Sequence, residues 1–441
     1  MAPTSNSDEA PTSGGGVTLQ ILRRPEFLVY LAAAICALIS FNLLETPLQW
    51  VVLTSSGSTA LVGALYLAIF IPIVILAVPV GLAIDRYGAK ALLLTSQSLL
   101  CCLMLVGATL NHFGLMRWQV VIVLAALDGV CNATWIIPAQ VLLGRVVRKE
   151  LMSSAIGLGQ LQYAAGRMIG GSLAAAMLSV AGPTAALALG AATAGIGLAI
   201  ALRLRENRSL ERRSMAPPWP GEVAQAFRWM IHNGPTVALL VLGALTALFT
   251  IGYVTVLPTV SRTILHAGPG GLGLMTAVGG VGVAFAAFLT EPLGRRFGRG
   301  TVICLSVVGT GIALGAVGLS TSLVLSVVLV GAIVGFLGVC GATTNSLLQA
   351  LTPLDLRGRV LSIYSLVVWV IFPLATLGIG VSVDKFGPSL VLEAMGALTV
   401  VSVLLLVLSY RTMGKLDIGP SGVAQLRSPV TPFPATVQRT A

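Results

Sequence analysis

Charge is what this sequence has least of. Only 9% of its 441 residues are Asp, Glu, Lys or Arg, against roughly 25% in an ordinary soluble protein. That scarcity, with a 56% apolar fraction and a mean hydropathy of +0.95, excludes a soluble globular chain. The few histidines, His112, His232 and His266, fall in connecting segments, so none is placed deep enough in an apolar stretch to relay protons. The cysteines, Cys36, Cys101, Cys102, Cys131, Cys304 and Cys340, lie within apolar stretches without metal-type spacing, which suits helix packing. No nucleotide-binding Walker sequence, Ser/His/Asp set or His-rich metal site occurs. These absences argue against an enzyme, a cofactor, a metal centre and direct use of ATP. The alternating strands of an outer-membrane barrel are also missing. So are the basic start and continuous apolar stretch of a cleavable signal in the first 20 residues.

Long apolar runs remain, each near the roughly 20 residues that cross a bilayer as a helix. Twelve spans are expected, near 27–53, 60–83, 91–110, 118–142, 153–180, 184–203, 235–261, 270–291, 301–319, 323–349, 359–382 and 388–410. The fold class is therefore an all-α membrane protein, with the lipid bilayer as its surroundings. Residues 1–22 and 411–441 read as disordered tails. The net charge of +11 does not point to nucleic acid, because the basic residues fall on one side of the spans. The exceptions are Arg117, Arg262 and Lys385 on the opposite side and Arg167 inside a span. By the positive-inside rule both termini are cytoplasmic.

The longest polar interruption, 204–234, separates bundles at 23–203 and 235–410, and carries a possible interfacial helix, EVAQAFRWMIHN. The halves match internally. Glu150-Leu151 corresponds to Asp355-Leu356 and Gly182-Pro183 to Gly387-Pro388 at one offset, while GLAIDRYGAK (81–90) matches EPLGRRFGRG (291–300) through Arg86 with Arg296 and Gly88 with Gly298. Parallel halves of this kind are a transporter design with the binding site at their interface.

GLAIDRYGAK resembles the loop between the second and third helices of the major facilitator superfamily. The segments QVLLGRVVRKELMSSAIGLGQLQYAAGRMIGG, EVAQAFRWMIHNGPTVALLVL and LLQALTPLDLRGRVLSIYS are similar to its enterobactin-exporter and macrolide-efflux branch. The resemblance implies twelve helices in two pseudo-symmetric six-helix bundles. It also implies a secondary active transporter of the bacterial inner membrane that exports a drug-like compound, antibiotic or siderophore, with protons as the expected coupling ion and a monomer as the expected state. One departure is LDGV in the fourth span, where many proton-coupled drug exporters carry an arginine. A lysolipid or metabolite carrier on the same fold is the alternative within transport, and a non-transporting receptor the alternative outside it.

Polar residues inside the spans mark candidate sites, because a charge in hydrocarbon costs at least about 2.5–3.5 kcal/mol unless it faces a cavity or a partner. Asn42, Glu45 and Gln49 share one face of the first span; Asp128, Asn132 and Trp135 share one of the fourth; Gln160, Tyr163 and Arg167 share one of the fifth. Asp128 is the leading proton-coupling acid, Arg167 its expected partner and Glu45 the competing acid. Helical rise puts Asp128 near mid-membrane, within reach of a long side chain from Arg167. Thr250 and Tyr253 on the seventh span, with Ser365 and Trp369 on the eleventh, complete a candidate substrate cavity with hydroxyls and aromatic area. Gly81, Asp85, Arg86, Gly88 and Lys90 form a candidate cytoplasmic gate, with Asp85 able to complement a helix N-terminus or to pair with Arg145.

Overall fold

A helix in hydrocarbon needs no amphipathic stripe, since lipid and bundle interior are equally apolar, but it must satisfy its backbone hydrogen bonds within itself. The structure, a computed structural model, describes residues 25–146, 152–204, 220–353, 356–409, 416–418 and 424–426; the side chains of Arg145 and Gln160 fall outside that description. The first half comprises α1 (Pro25–Ser56), α2 (Thr59–Tyr87), α3 (Ala89–His112), α4 (Trp118–Val146), α5 (Met152–Val180) and α6 (Gly182–Leu202). A short helix α7 (Pro220–His232) precedes the second half: α8 (Gly234–Phe249), α9 (Gly268–Phe297), α10 (Arg299–Leu319), α11 (Leu323–Leu351), α12 (Arg357–Phe386) and α13 (Pro388–Ser409). Among the described residues eleven helical stretches are long and apolar enough to cross a membrane, and α5, apolar over Ala165–Val180, completes the order. The start and end of each half thus lie at one end of the bundle, the terminal end; the other is the far end.

The packing within each half repeats. In the first, α2 packs on α4, α3 on α4 and α6, and α1 on α5 and α6; in the second, α9 packs on α11, α10 on α11 and α13, and α8 on α12 and α13. Two pairs then join the halves, α2 with α12 and α5 with α9. Small residues make these approaches possible. A Cβ added at Gly170 would lie 2.8 Å from the Asn42 Cβ, where α5 meets α1, and one at Gly380 would lie 2.5 Å from the Thr59 carbonyl oxygen, where α12 meets α2. Gly273 abuts Ala175 between α9 and α5, and Gly63 abuts the Thr376 carbonyl.

Most helices run a few residues past the expected spans, because a helix does not stop at the edge of the hydrocarbon. The seventh span differs more. Its regular helix stops at Phe249, and the chain continues as a tightened turn at Ile251–Thr255, one turn at Leu257–Thr259 and a widened turn at Val260–Ile264. Gly252 and Pro258 account for the break: glycine is a poor helix former, and proline removes a donor. Gly252 also sits against Ile379 of α12 so closely that a side chain would collide.

The possible interfacial helix is α7, which buries Ala226 and Met230 and leaves Phe227 and Ile231 exposed. The tail beyond Arg411 departs from the expected disorder: β1 (Leu416–Ile418) and β2 (Ala424–Leu426) pair antiparallel, with Asp417 opposite Gln425, beside α10 and α11. Alternation of apolar Leu416 and Ile418 around Asp417 is the period-two pattern of a strand, which low overall hydrophobicity conceals. Residues 1–22 lie outside the described residues.

The α2–α12 contact generates a prediction. Gly63→Val places a branched side chain against the Thr376 carbonyl, and overpacking of this sort costs about 1–3 kcal/mol. Hydrogen exchange followed by mass spectrometry should show faster exchange at the far-end turns of α2 and α12, with the rest of both helices unchanged.

Candidate functional site

The described hydrogen bonds between the halves all gather toward the far end. Thr59 Oγ1 meets Thr259 Oγ1 at 2.8 Å, Arg262 donates to the Leu53 carbonyl at 3.1 Å, and Thr376 donates to the Gly63 carbonyl at 3.4 Å. Just inside this closure an aromatic group crosses between α2 and α12. Phe70 stacks on Trp369 with centroids 5.4 Å apart and planes 16° apart, and Phe372 sets its edge against Phe70 at 4.9 Å and against Tyr66 at 5.9 Å.

Below the aromatic group lies a cavity of about 700 Å³ between the halves, within the range of small-molecule sites. Tyr163 and Arg167 of α5 form one wall. The second half supplies Thr246 and Tyr253, Thr344 and Asn345 of α11, and Tyr364, Ser365 and Trp369 of α12, among small apolar residues of α9 and α11. Arg167 is the one charged side chain among the described lining residues.

The structure divides the expected site residues into two sets. Tyr163, Arg167, Tyr253, Ser365 and Trp369 face the cavity. Gln49, Asn132, Trp135 and Thr250 do not line it, and neither does Asn42; each is engaged within its own half. Asn42 donates to the Leu38 carbonyl at 2.8 Å, Gln49 to Tyr66 Oη at 2.8 Å, and Asn132 to the Asp128 carbonyl at 3.2 Å. Trp135 packs edge-on to Phe41 at 5.9 Å, and the Thr250 and Thr399 hydroxyls lie 3.2 Å apart. The side chain of Gln160 lies outside the described residues.

The expected Asp128–Arg167 pair is not formed. Arg167 donates instead to Tyr163 Oη at 3.3 Å, one turn earlier on its own helix, with its guanidinium 5.9 Å from the Tyr163 ring centre. The acid within electrostatic range of Arg167 is Glu45, and Asp128 in turn feels Glu45. Asp128 is fully buried, and neither of its carboxyl oxygens has a hydrogen-bond partner among the described residues. Glu45 is thus the acid through which the charge at the cavity wall and the buried Asp128 are electrostatically linked. Sequence spacing assigns a face to each helix but not the distance between faces, so it could not establish a contact between Arg167 and Asp128.

At the terminal end, Asp85 is exposed and makes no hydrogen bond or ion pair to a described residue. A Cβ at Gly81 would meet nothing within 4 Å, so this glycine is not at a close approach here. Gly88 closes α2 at φ 91° with its N–H on the Ile84 carbonyl at 2.9 Å, Arg86 lies over the Tyr87 ring at 5.3 Å, and Lys90 donates to the Leu202 carbonyl at 2.8 Å. The second-half copy repeats this geometry: Gly298 has φ 84° and Arg296 lies over Phe297 at 5.4 Å. There Glu291 pairs with Arg295 at 2.9 Å and Arg299 at 3.1 Å. The side chain of Arg145 is outside the described residues.

Sequence reasoning missed Asn345, Tyr364 and Phe70. Gly341, Thr344 and Asn345 form a small and polar face on α11 at helical spacing that could have been found; Phe70 lies in an unbroken apolar run and carries no such signal.

A family model described as a transmembrane secretion effector matches residues 17–430. Among solved structures, the chain is similar to a nucleoside transporter, NupG, at 12% identity and a TM-score of 0.69 over 87% of this chain and 99% of that one. It is similar to a D-xylose-proton symporter at 16% identity and a TM-score of 0.67, covering 86% and 96% of the two chains. A bacterial homologue of the human lysosomal transporter Spinster gives 16% identity and a TM-score of 0.63, covering 91% and 97%. These likenesses identify the two-bundle major facilitator fold. No curated protein matches the sequence.

Arg167 generates the second prediction. Arg167→Ala removes the cation beside Glu45 and frees Tyr163, whereas Arg167→Lys keeps the charge and loses the planar fork. Uptake or efflux assays in proteoliposomes should show the Ala variant losing at least about tenfold in rate, the worth of one charge-assisted contact, and the Lys variant falling between. Equal rates for the two variants would show that charge is not what Arg167 supplies.

Proposed function

The chain belongs to the transmembrane secretion effector family of major facilitator transporters, and from that premise we propose that it exports a small amphipathic compound, a drug-like molecule, antibiotic or siderophore, by proton-coupled alternating access. The observation that carries the proposal is the cavity between the halves, bounded toward the far end by every described inter-half hydrogen bond. With the terminal end cytoplasmic, as the distribution of Lys and Arg favours, this is the conformation that loads substrate from inside the cell. Half-exposed Trp369 and Tyr163 offer aromatic area, and Asn345, Ser365 and Thr344 offer hydrogen bonds to an amphipathic ligand. A metabolite or lysolipid carrier uses the same architecture, because fold does not fix substrate. A receptor that does not transport has no need of acids buried behind the cavity.

Proton coupling is assigned to Glu45 and Asp128 as a unit. Two interacting carboxyl groups titrate together, and here Asp128 lacks any described donor while Glu45 feels the charge of Arg167, the one charged side chain among the described lining residues. Asp128 remains the acid that Asn cannot replace, because Asn has similar shape and no titratable carboxyl. Asp85 is assigned to the gate: it stands at the end of α2 beside the open terminal end, positioned to meet a partner when that end closes.

The test compares substrate accumulation in everted vesicles under an imposed pH gradient with downhill exchange without one. Asp128→Asn and Glu45→Gln should each lose uphill export by about tenfold or more, the scale on which removing a proton-transfer group acts, and Asp128→Asn should retain downhill exchange. If Asp128→Asn pumps at near-normal rates and Glu45→Gln does not, Glu45 alone couples. If both pump, proton coupling through this half is wrong.

A further inference from the structure

An eight-residue pattern occurs twice in this chain, at opposite ends of the molecule. Gly81-Leu82-Ala83-Ile84-Asp85-Arg86-Tyr87-Gly88 ends α2, and Gly380-Val381-Ser382-Val383-Asp384-Lys385-Phe386-Gly387 ends α12. Each has glycine, three residues, aspartate, a basic residue, an aromatic residue and glycine, and each closes on a glycine of positive φ, 91° at Gly88 and 84° at Gly387. Because α2 and α12 run antiparallel against each other, one copy sits at the terminal end and the other at the far end.

The two copies are in different states. At the far end Asp384 reaches across to the other half and covers the start of α2. Its carboxylate accepts from Ser58 Oγ at 2.5 Å, from the Thr59 N–H at 2.6 Å and from the Ala60 N–H at 3.1 Å. The first N–H groups of a helix have no partner within it, and they carry its positive end, so a carboxylate there gains both hydrogen bonds and charge complementarity. Four residues earlier, Gly380 lets the helices approach until a Cβ would lie 2.5 Å from the Thr59 carbonyl oxygen. At the terminal end the same two positions are disengaged: Asp85 is exposed with no described partner, and Gly81 has open space. Gly63, opposite Thr376, adds a second close approach on the engaged side only.

We infer that Asp384 is a positioning residue of the transport cycle, the latch that holds the far end shut by capping α2 across the two halves. It acts in opposition to Asp85 at the other end. The inference rests on the alternating-access reading and adds to it a residue and a partner: the start of α2, presented by Ser58, Thr59 and Ala60. Thr59 contributes twice, through its N–H to Asp384 and through its hydroxyl to Thr259. Opening the far end must break these bonds together, and the exposed position of Asp384 lets water take over as they part. A latch of exposed hydrogen bonds is strong enough to bias a two-state equilibrium and weak enough to be released within a cycle.

The experiment reads the conformational equilibrium of the purified full chain in proteoliposomes, without substrate or gradient. Spin labels at Ser55 and Thr321, both exposed at the far end of opposite halves, report its opening by double electron–electron resonance in a background with the native cysteines replaced. Asp384→Asn should raise the far-end-open fraction about tenfold, as expected for losing a carboxylate from a partly exposed helix N-terminus. Ser58→Ala should act in the same direction and more weakly, and Asp384→Glu should lie nearest the unaltered protein. A residue that only supports the fold would not be compensated by a change at the other end; a latch is, so Asp85→Asn combined with Asp384→Asn should return the distribution toward its starting point. The inference is overturned if Asp384→Asn and Ser58→Ala leave the distribution unchanged while Gly63→Val opens the far end. If none of these variants ever populates a far-end-open state, alternating access itself fails and the latch with it.

Discussion

Inside a bilayer there is no water to satisfy a polar group left without a partner, and the arrangement of this protein follows from that constraint. Backbone groups are satisfied by helix, and hydroxyls largely by carbonyls one turn back, as Thr246 on Leu242 and Ser40 on Cys36 illustrate. The polar side chains that remain are sorted by position. Gln49 ties α1 to Tyr66 of α2, and Asn42 and Asn132 bond carbonyls one turn back on their own helices, whereas Tyr253, Ser365 and Trp369 line the cavity between the halves. Among the buried polar side chains that lack a described partner, which include Gln97 and Thr255, Asp128 is the costliest, because it is a fully buried carboxyl.

The antiparallel packing of α2 against α12, not the parallel repeat of the halves, is what makes the two ends of the molecule comparable. Helices α2 and α12 are the strands of that equivalence, each beginning where the other stops. Close approach through Gly63 and Gly380 is possible only when the far end is shut, and Gly81 shows what the corresponding position looks like when its end is not. Rigid bundles with small residues at the contact and a few hydrogen bonds at its rim favour discrete states over a continuum, because packed interfaces are bistable.

Much of the fold was legible in the sequence, because hydropathy and the distribution of Lys and Arg record the constraint of the bilayer directly. Twelve spans and two bundles follow from run lengths and from the internal matches. Less legible was anything that depends on distances between helices. Spacing groups the polar residues of α1, α4 and α5 into faces, yet it could not tell that Arg167 would donate to Tyr163 rather than reach Asp128. Nor could it tell that Thr250 would turn toward Thr399. The break in the seventh span at Gly252 was available as a glycine and a proline in an apolar run, and the strand pair at 416–426 as a short alternation; both signals are weak against the hydropathy around them. The second copy of the eight-residue pattern was in plain view, but the match between halves compares helices that point the same way. This copy relates α2 to an antiparallel partner.

That antiparallel relation has a consequence for how the ends communicate. A carboxylate at the end of α12 bonds the first turn of α2, and Asp85, at the end of α2, lies at the same end of the bundle as the start of α12. One rigid tilt of α2 against α12 therefore brings one pair together as it separates the other. No signal has to travel through the bundle, since the two helices are the lever. Phe70 and Trp369 stack near the middle of the two helices, where a tilt about that point moves them least, and Trp369 also lines the cavity. A ligand resting on Trp369 thus bears on the fulcrum. Differential contact there with the two tilts is what coupling of binding to the ends requires, because a ligand shifts a conformational equilibrium only by its difference in affinity for the two states.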